Sequence, residues 1–109
     1  MRFLIIFSHP SRKSYSAALF KTVKTSLKKK GHEVKTLDLY KQDFNPVLSL
    51  KEWNSYLENT DKNVKMLKAD IDLLLWAEGL IFVFPTWMYG PPAILKGWLE
   101  RVWLPGIAF

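Results

Sequence analysis

Two kinds of hydrophobic pattern alternate along the chain. Residues 3–7 and 80–84 are short, continuous apolar runs, which are typical of strands buried on both faces of a sheet. Residues 33–39 alternate imperfectly between polar and apolar side chains, which favours a strand nearer the edge of the sheet. The pattern therefore predicts three strands.

Helical spacing of apolar residues lies between and after these strands. It predicts a first helix from Ser16 to about Gly31, a short helix over 50–58, a second long helix from about Asp61 to Gly79, and a last helix opened by Pro91-Pro92. The positions expected to face the core are Leu19, Phe20, Val23 and Leu27, then Val64, Leu67, Ile71, Leu74 and Leu75, then Ile94, Leu95, Trp98 and Val102. Strands that alternate with helices predict an α/β fold with a doubly wound parallel sheet.

The loop after the first strand, SHPSRKSYSAA, carries candidate phosphate ligands. It offers several hydroxyls, the cations Arg12 and Lys13 and the His9 imidazole, ahead of the N–H groups that begin a helix. The loop has no glycine, which excludes the GxxxxGK[ST] and GxGxxG phosphate loops. The alternative is that Ser14 or Ser16 only caps the helix.

The loop after the third strand, FPTWMYGPP, places Trp87, Met88 and Tyr89 together between prolines. Such side chains and nearby backbone N–H groups could hold a planar heteroaromatic ring, and core packing or a dimer interface is the alternative. Ligands of open α/β sheets bind beyond the carboxyl ends of the strands, and strands one and three are neighbours in the flavodoxin order 2-1-3-4-5. Together the two loops match the phosphate and the ring of a flavin mononucleotide.

Composition and charge limit the classes of protein and of functional site to which this chain could belong. The 109 residues support one domain, and the absence of cysteine excludes disulfides, thiol nucleophiles and thiolate metal sites. The net charge of +6 raises the question whether the protein binds nucleic acid. The lysines of the first helix occur without a nucleic-acid motif, which favours the interpretation that they form a solvated face of that helix. The apolar start is too short for a signal peptide, so we expect a cytoplasmic protein without an integral membrane segment. No metal site is predicted, since His9 and His32 are isolated.

Residues 84–109, FPTWMYGPPAILKGWLERVWLPGIAF, closely resemble the flavin loop and following helix of the NAD(P)H dehydrogenase (quinone) family, which includes DT-diaphorase and modulator of drug activity B proteins. SHPSRKSYSAA and DLY at 38–40, followed by Phe44-Asn45-Pro46, also fit. The resemblance implies a flavodoxin-like sheet with strands in the order 2-1-3. Residues 1–109 would form the N-terminal part of a single flavodoxin-like domain.

The resemblance also implies a function and its residues. The family passes two electrons, by hydride transfer through bound FAD or FMN, from NAD(P)H to a quinone or similar small-molecule acceptor. By position, His9, Ser14, Tyr15 and Ser16 would contact the phosphate and ribityl portion of the flavin, and Pro85, Thr86, Trp87, Met88 and Tyr89 would border its isoalloxazine ring. No catalytic residue is assigned.

Members of the family continue through two more strands and a glycine-rich second flavin loop. We therefore expect a C-terminally truncated chain whose third strand is an uncovered apolar edge, so that it aggregates, dimerises through that strand or borrows its missing half. A homodimer is expected. The alternative function is a non-catalytic flavodoxin-like remnant or an ancillary regulatory subunit, as in potassium efflux systems.

Overall fold

The computed structural model describes all residues, 1–109. The elements are β1 (Arg2–Phe7), α1 (Tyr15–Lys29), β2 (Glu33–Asp38), α2 (Leu50–Ser55), α3 (Thr60–Met66), α4 (Lys68–Trp76), β3 (Gly79–Val83) and α5 (Ala93–Val102). None of these helices has the length and apolar character needed to span a bilayer.

The three strands form one parallel sheet in the order β2-β1-β3. Phe7, the last residue of β1, pairs with Asp38 of β2 on one side and with Val83 of β3 on the other. Leu4 to Phe7 are almost completely buried because β1 is central, whereas burial alternates along β2 at the edge. The predicted α/β class and strand order are confirmed.

Helices cover both faces of this sheet. On one face Leu4 and Ile6 pack in a core with Ile71 of α4 and Trp98 of α5. On the other face Ile5 and Phe7 pack against α1, where the rings of Phe7 and Phe20 stack with centroids 4.6 Å apart. The molecule is therefore layered as helix, sheet and helix around β1.

Three details of the predicted helices are wrong. Leu19 and Leu75 were expected in the core but are 41% and 59% exposed. Leu19 precedes Phe20 and Leu75 follows Leu74, and Phe20 and Leu74 do face the core. Because consecutive helical residues point about 100° apart, Leu19 and Leu75 turn toward solvent. The second long helix is two helices, α3 and α4, separated at Leu67, whose φ of −117° departs from helical geometry while its side chain stays buried.

An ion pair ties α2 to α5. Glu52 is only 2% exposed, and its Oε2 accepts a hydrogen bond from Nε of Arg101 at 2.8 Å. Arg101 Nη1 also donates to the carbonyl oxygen of Asn45 at 2.7 Å, and Glu52 forms a capping box with Ser49. Burial raises the pKa of Glu52, but hydrogen bonds from Arg101 and Ser49 outweigh it, so that the pKa lies below the ordinary value of 4.5.

The loop after β2 rests directly on α5. A Cβ atom built on Gly97 would overlap the carbonyl oxygen and the Cα of Pro46. Gly97 is buried in the middle of a helix, where glycine is otherwise unfavourable by about 1 kcal/mol relative to alanine. The close approach of the two backbones is therefore the reason that glycine is required here.

We expect Glu52→Gln to remove a pH-dependent part of the stability. Because the folded-state pKa of Glu52 is lowered, the ionised carboxylate stabilises the fold above pH 4.5, and this contribution is lost as the pH falls through the folded-state pKa. At neutral pH the variant should lose about 3 kcal/mol in urea unfolding, and less in acid. Glu100→Gln, in an exposed pair with Lys96, is the control and should change little. Equal losses by Glu52→Gln at both pH values would contradict this.

Gly97→Ala should destabilise the fold by about 1–3 kcal/mol, because the overlap with Pro46 outweighs the better helix propensity of alanine. The measurement is the free energy of unfolding in urea. Gly90→Ala is the matched control, since nothing lies within 4 Å of a Cβ at that position. If the Gly97→Ala variant were at least as stable as the native chain, the loop that carries Pro46 would be able to move away from the added methyl group at little cost.

Candidate functional site

Two loops meet beyond the carboxyl ends of β1 and β3. Loop 1 comprises residues 8–14 and loop 2 residues 84–92. The backbone N–H of Ser8 donates to the carbonyl oxygen of Val83 at 3.0 Å, which joins the loops at their base. Above it, the rings of His9 and Trp87 meet edge to face with centroids 5.6 Å apart. The pairing of neighbouring strands thus brings the two predicted loops into contact.

Hydrogen bonds within loop 1 hold it in one conformation. The N–H of Ser11 donates to Nδ1 of His9 at 2.9 Å, and the N–H of Lys13 donates to Oγ of Ser11 at 3.1 Å. The hydroxyl of Ser14 donates to the carbonyl oxygen of Ser11 at 2.9 Å. Since Nδ1 of His9 accepts, a neutral imidazole carries its proton on Nε2, which is left to donate to a ligand.

The N-terminus of α1 closes loop 1. Ser14 is the N-cap, and its Oγ accepts from the N–H of Ala17 at 3.0 Å, so the capping role considered for this residue is the one observed. The N–H groups of Tyr15 and Ser16 precede the first intrahelical hydrogen bond and have no acceptor within the helix. The first turn contains no acidic residue. Free N–H groups and the helix dipole suit an anion at this position.

Loop 2 carries a tight two-residue turn. The N–H and carbonyl groups of Trp87 and Gly90 bond to each other at 3.0 and 3.1 Å, and Met88 and Tyr89 between them have φ angles of 50° and 67°. Two positive φ angles define a type I′ turn, which normally contains glycine or asparagine. The side chains of Met88 and Tyr89 are 91% and 101% exposed, and their N–H groups donate to nothing in the protein. The turn therefore presents free donors and large side chains at a cost in backbone strain.

The nine sequence-predicted site residues all lie on these two loops or the first turn of α1. They are His9, Ser14, Tyr15 and Ser16 at loop 1, and Pro85, Thr86, Trp87, Met88 and Tyr89 at loop 2. The rings of His9 and Trp87 bring the two sets into contact. Tyr15 is exposed and Ser16 is buried, so their side chains point in different directions. Their role in cofactor binding stays a prediction.

The sequence interpretation missed Asp38 as a support for loop 1. Its Oδ2 pairs with Nη2 of Arg12 at 3.0 Å, and its Oδ1 accepts from the N–H of Lys41 at 3.1 Å. Asp38 is the last residue of β2, so its position at the carboxyl end of a strand beside β1 could have indicated this contact. The ion pair connects loop 1 to the edge strand.

The fold and the paired loops define a flavodoxin-like protein. The family model described as a flavodoxin-like fold matches residues 1–109, and the chain belongs to this family.

Similar proteins within this fold family are named as NAD(P)H oxidoreductases. A Haemophilus influenzae protein named an uncharacterized NAD(P)H oxidoreductase is 37% identical over 100% of this chain and 54% of its own length. Rat NAD(P)H dehydrogenase [quinone] 1 is 34% identical over 99% of this chain and 45% of its own. The solved NAD(P)H:quinone oxidoreductase from Methanothermobacter marburgensis superposes with a TM-score of 0.86 at 30% identity, covering all of this chain and 55% of that one. The resemblance drawn from the sequence is confirmed, and the chain spans about half the length of these relatives.

We expect the strain at Met88 to be measurable by comparing Met88→Gly with Met88→Ala. Both remove an exposed side chain, but only glycine adopts a positive φ without steric cost, so the glycine variant should be about 1 kcal/mol more stable in urea unfolding. The same pair of substitutions at Lys28, inside α1, should give the opposite order. Alanine as stable as glycine at position 88 would argue against a strained turn.

Proposed function

We propose that this chain forms the flavin-binding part of an NAD(P)H-dependent quinone oxidoreductase that holds FAD or FMN between loop 1 and loop 2. The single observation that carries the proposal is the contact between His9 of loop 1 and Trp87 of loop 2 at the carboxyl ends of two adjacent parallel strands. The names of the relatives support the same activity.

The α1 N-terminus fits the phosphate of a flavin nucleotide. The N–H groups of Tyr15 and Ser16 supply donors, and Nε2 of His9 supplies another on the side of loop 2. Hydrogen bonds within loop 1 fix these donors before a ligand arrives, which lowers the entropy lost on binding.

The turn of loop 2 fits the ring. The free N–H groups of Met88 and Tyr89 can donate to the polar edge of an isoalloxazine ring, and the flat side chain of Trp87 can border it. When bound, flavin supplies the two-electron redox chemistry that joins oxidation of NAD(P)H to reduction of a quinone. The residues of this chain bind and orient it. A homodimer and a cytoplasmic location stay predictions of the sequence.

Titration of the purified chain with FMN tests the proposal through quenching of flavin fluorescence. We expect saturable binding that Trp87→Ala weakens about tenfold, because an aromatic side chain at the centre of an interface contributes about 1–2 kcal/mol. Trp53→Ala is the matched control: Trp53 is also an exposed tryptophan, on α2, and the affinity should not change.

Addition of NADPH to the flavin-loaded chain should bleach the flavin absorbance, and a quinone should restore it. A chain that neither quenches FMN fluorescence nor retains flavin would contradict the proposal and favour the non-catalytic alternative. Equal losses in Trp87→Ala and Trp53→Ala would place the flavin somewhere other than loop 2.

A further inference from the structure

Charge is divided unevenly along the chain. Residues 1–32 contain eight lysines and arginines and no aspartate or glutamate, so all ten acidic residues come later. Since α1 packs on one face of the sheet, this uneven division becomes a basic face of the molecule. We use the term basic face for the five lysines that lie on α1 or at its C-cap: Lys21, Lys24, Lys28, Lys29 and Lys30.

The lysines of the basic face have no acidic partner. None of the five forms a salt bridge, and the sequence of α1 contains no acidic residue. Two other helices show the opposite arrangement, because Lys68 pairs with Asp72 on α4 and Lys96 pairs with Glu100 on α5, four residues apart in each case. The positive charge of the basic face is therefore free for an external partner.

Three of these lysines point in similar directions. At about 100° per residue, Lys21, Lys24 and Lys28 fall within about 60° of one another around α1. The helix dipole favours lysines in the last turn, which accounts for Lys28 and Lys29 but not for Lys21 and Lys24 in the middle of the helix. Like charges four residues apart, as at Lys24 and Lys28, destabilise a helix. An anionic surface would relieve this repulsion, whereas water alone does not.

The composition of the basic face favours a lipid surface over nucleic acid. Residues 21–30 contain neither arginine, whose planar group binds phosphate in two places, nor an aromatic residue on which a base could stack. The side chains of Ala18, Thr22 and Thr25, on the exposed side of α1, are small. The lysines can therefore approach a flat surface together.

We propose that the basic face of α1 attaches this protein to an anionic phospholipid bilayer, with the lysines in contact with the headgroup phosphates. Because the exposed residues from 21 to 30 are all polar, the attachment is electrostatic and is reversed by salt. Loop 1 leads directly into α1, so the proposed flavin site lies beside the bilayer, where an apolar quinone dissolves. The role of the quinone rests on the proposed function, whereas binding to the bilayer does not.

Sedimentation with lipid vesicles tests the proposal. We expect the native chain to bind vesicles made of equal parts of phosphatidylcholine and phosphatidylglycerol, and not to bind phosphatidylcholine alone. Sodium chloride at about 1 M, where the Debye length is about 3 Å, should release it. Lys21→Gln, Lys24→Gln and Lys28→Gln together should lower the affinity about a hundredfold, since each lysine near an anionic bilayer contributes about fivefold.

The matched control combines Lys51→Gln, Lys62→Gln and Lys65→Gln. These three lysines are exposed, form no salt bridge and lie on α2 and α3, which pack on the opposite face of the sheet from α1. The control loses the same charge and should bind the anionic vesicles nearly as tightly as the native chain. Arginine at positions 21, 24 and 28 keeps the charge and should retain binding. FMN affinity should be equal in all four proteins.

The proposal is overturned if the native chain does not bind the anionic vesicles, if it binds phosphatidylcholine alone as tightly, or if the two glutamine variants bind equally. It is also overturned if a DNA duplex binds more tightly than the vesicles at the same salt concentration, since the basic face would then be a nucleic-acid site. Failure of the proposed function is a separate result. In that case FMN does not bind, while the vesicles still distinguish the native chain from the variant of the basic face.

Discussion

Parallel pairing of β1 on both of its edges is the constraint on which the rest of the structure depends. Because β2 and β3 run in the same direction as β1, all three strands end at one edge of the sheet, with Phe7 beside Asp38 and Val83. The residues proposed to contact the flavin follow two of these strand ends, those of β1 and β3. The burial of Leu4 to Phe7 fixes this register, since a slip of one residue would move each of these side chains to the opposite face of the sheet.

The segment between β2 and β3 is attached to this frame in two ways. The helix α4 packs in the hydrophobic core, and α2 and α3 add buried hydrogen bonds. Asn63 donates to the carbonyl oxygen of Glu52 at 3.1 Å and accepts from the hydroxyl of Ser55, so α2 and α3 share one buried polar cluster. Buried polar groups that are all satisfied specify a geometry more strictly than apolar contacts do. This cluster and the contact of Pro46 with Gly97 position α5, which directly follows loop 2.

The strands, the α/β class and the two loops could be predicted because continuous apolar runs and proline-rich breaks are local signals. The division between α3 and α4 could not be, because no glycine or proline marks Leu67 and the break depends on tertiary contacts of Asn63 and Leu67. In the candidate site, the sequence showed which residue types the two loops carry. It could not predict the type I′ conformation of Met88 and Tyr89, since neither residue favours a positive φ.

Arg101 has a consequence for how this sequence can vary. Its guanidinium pairs with Glu52, donates to Asn45, lies 4.0 Å from the sulfur of Met66 and stacks 5.3 Å from the ring centroid of Phe44. Substitutions at residues that share one partner are not additive in their effect on stability. Positions 44, 52 and 66 are therefore epistatic through Arg101: which residues each tolerates depends on whether the arginine is still present. Related chains that have lost this arginine should differ at all three positions together.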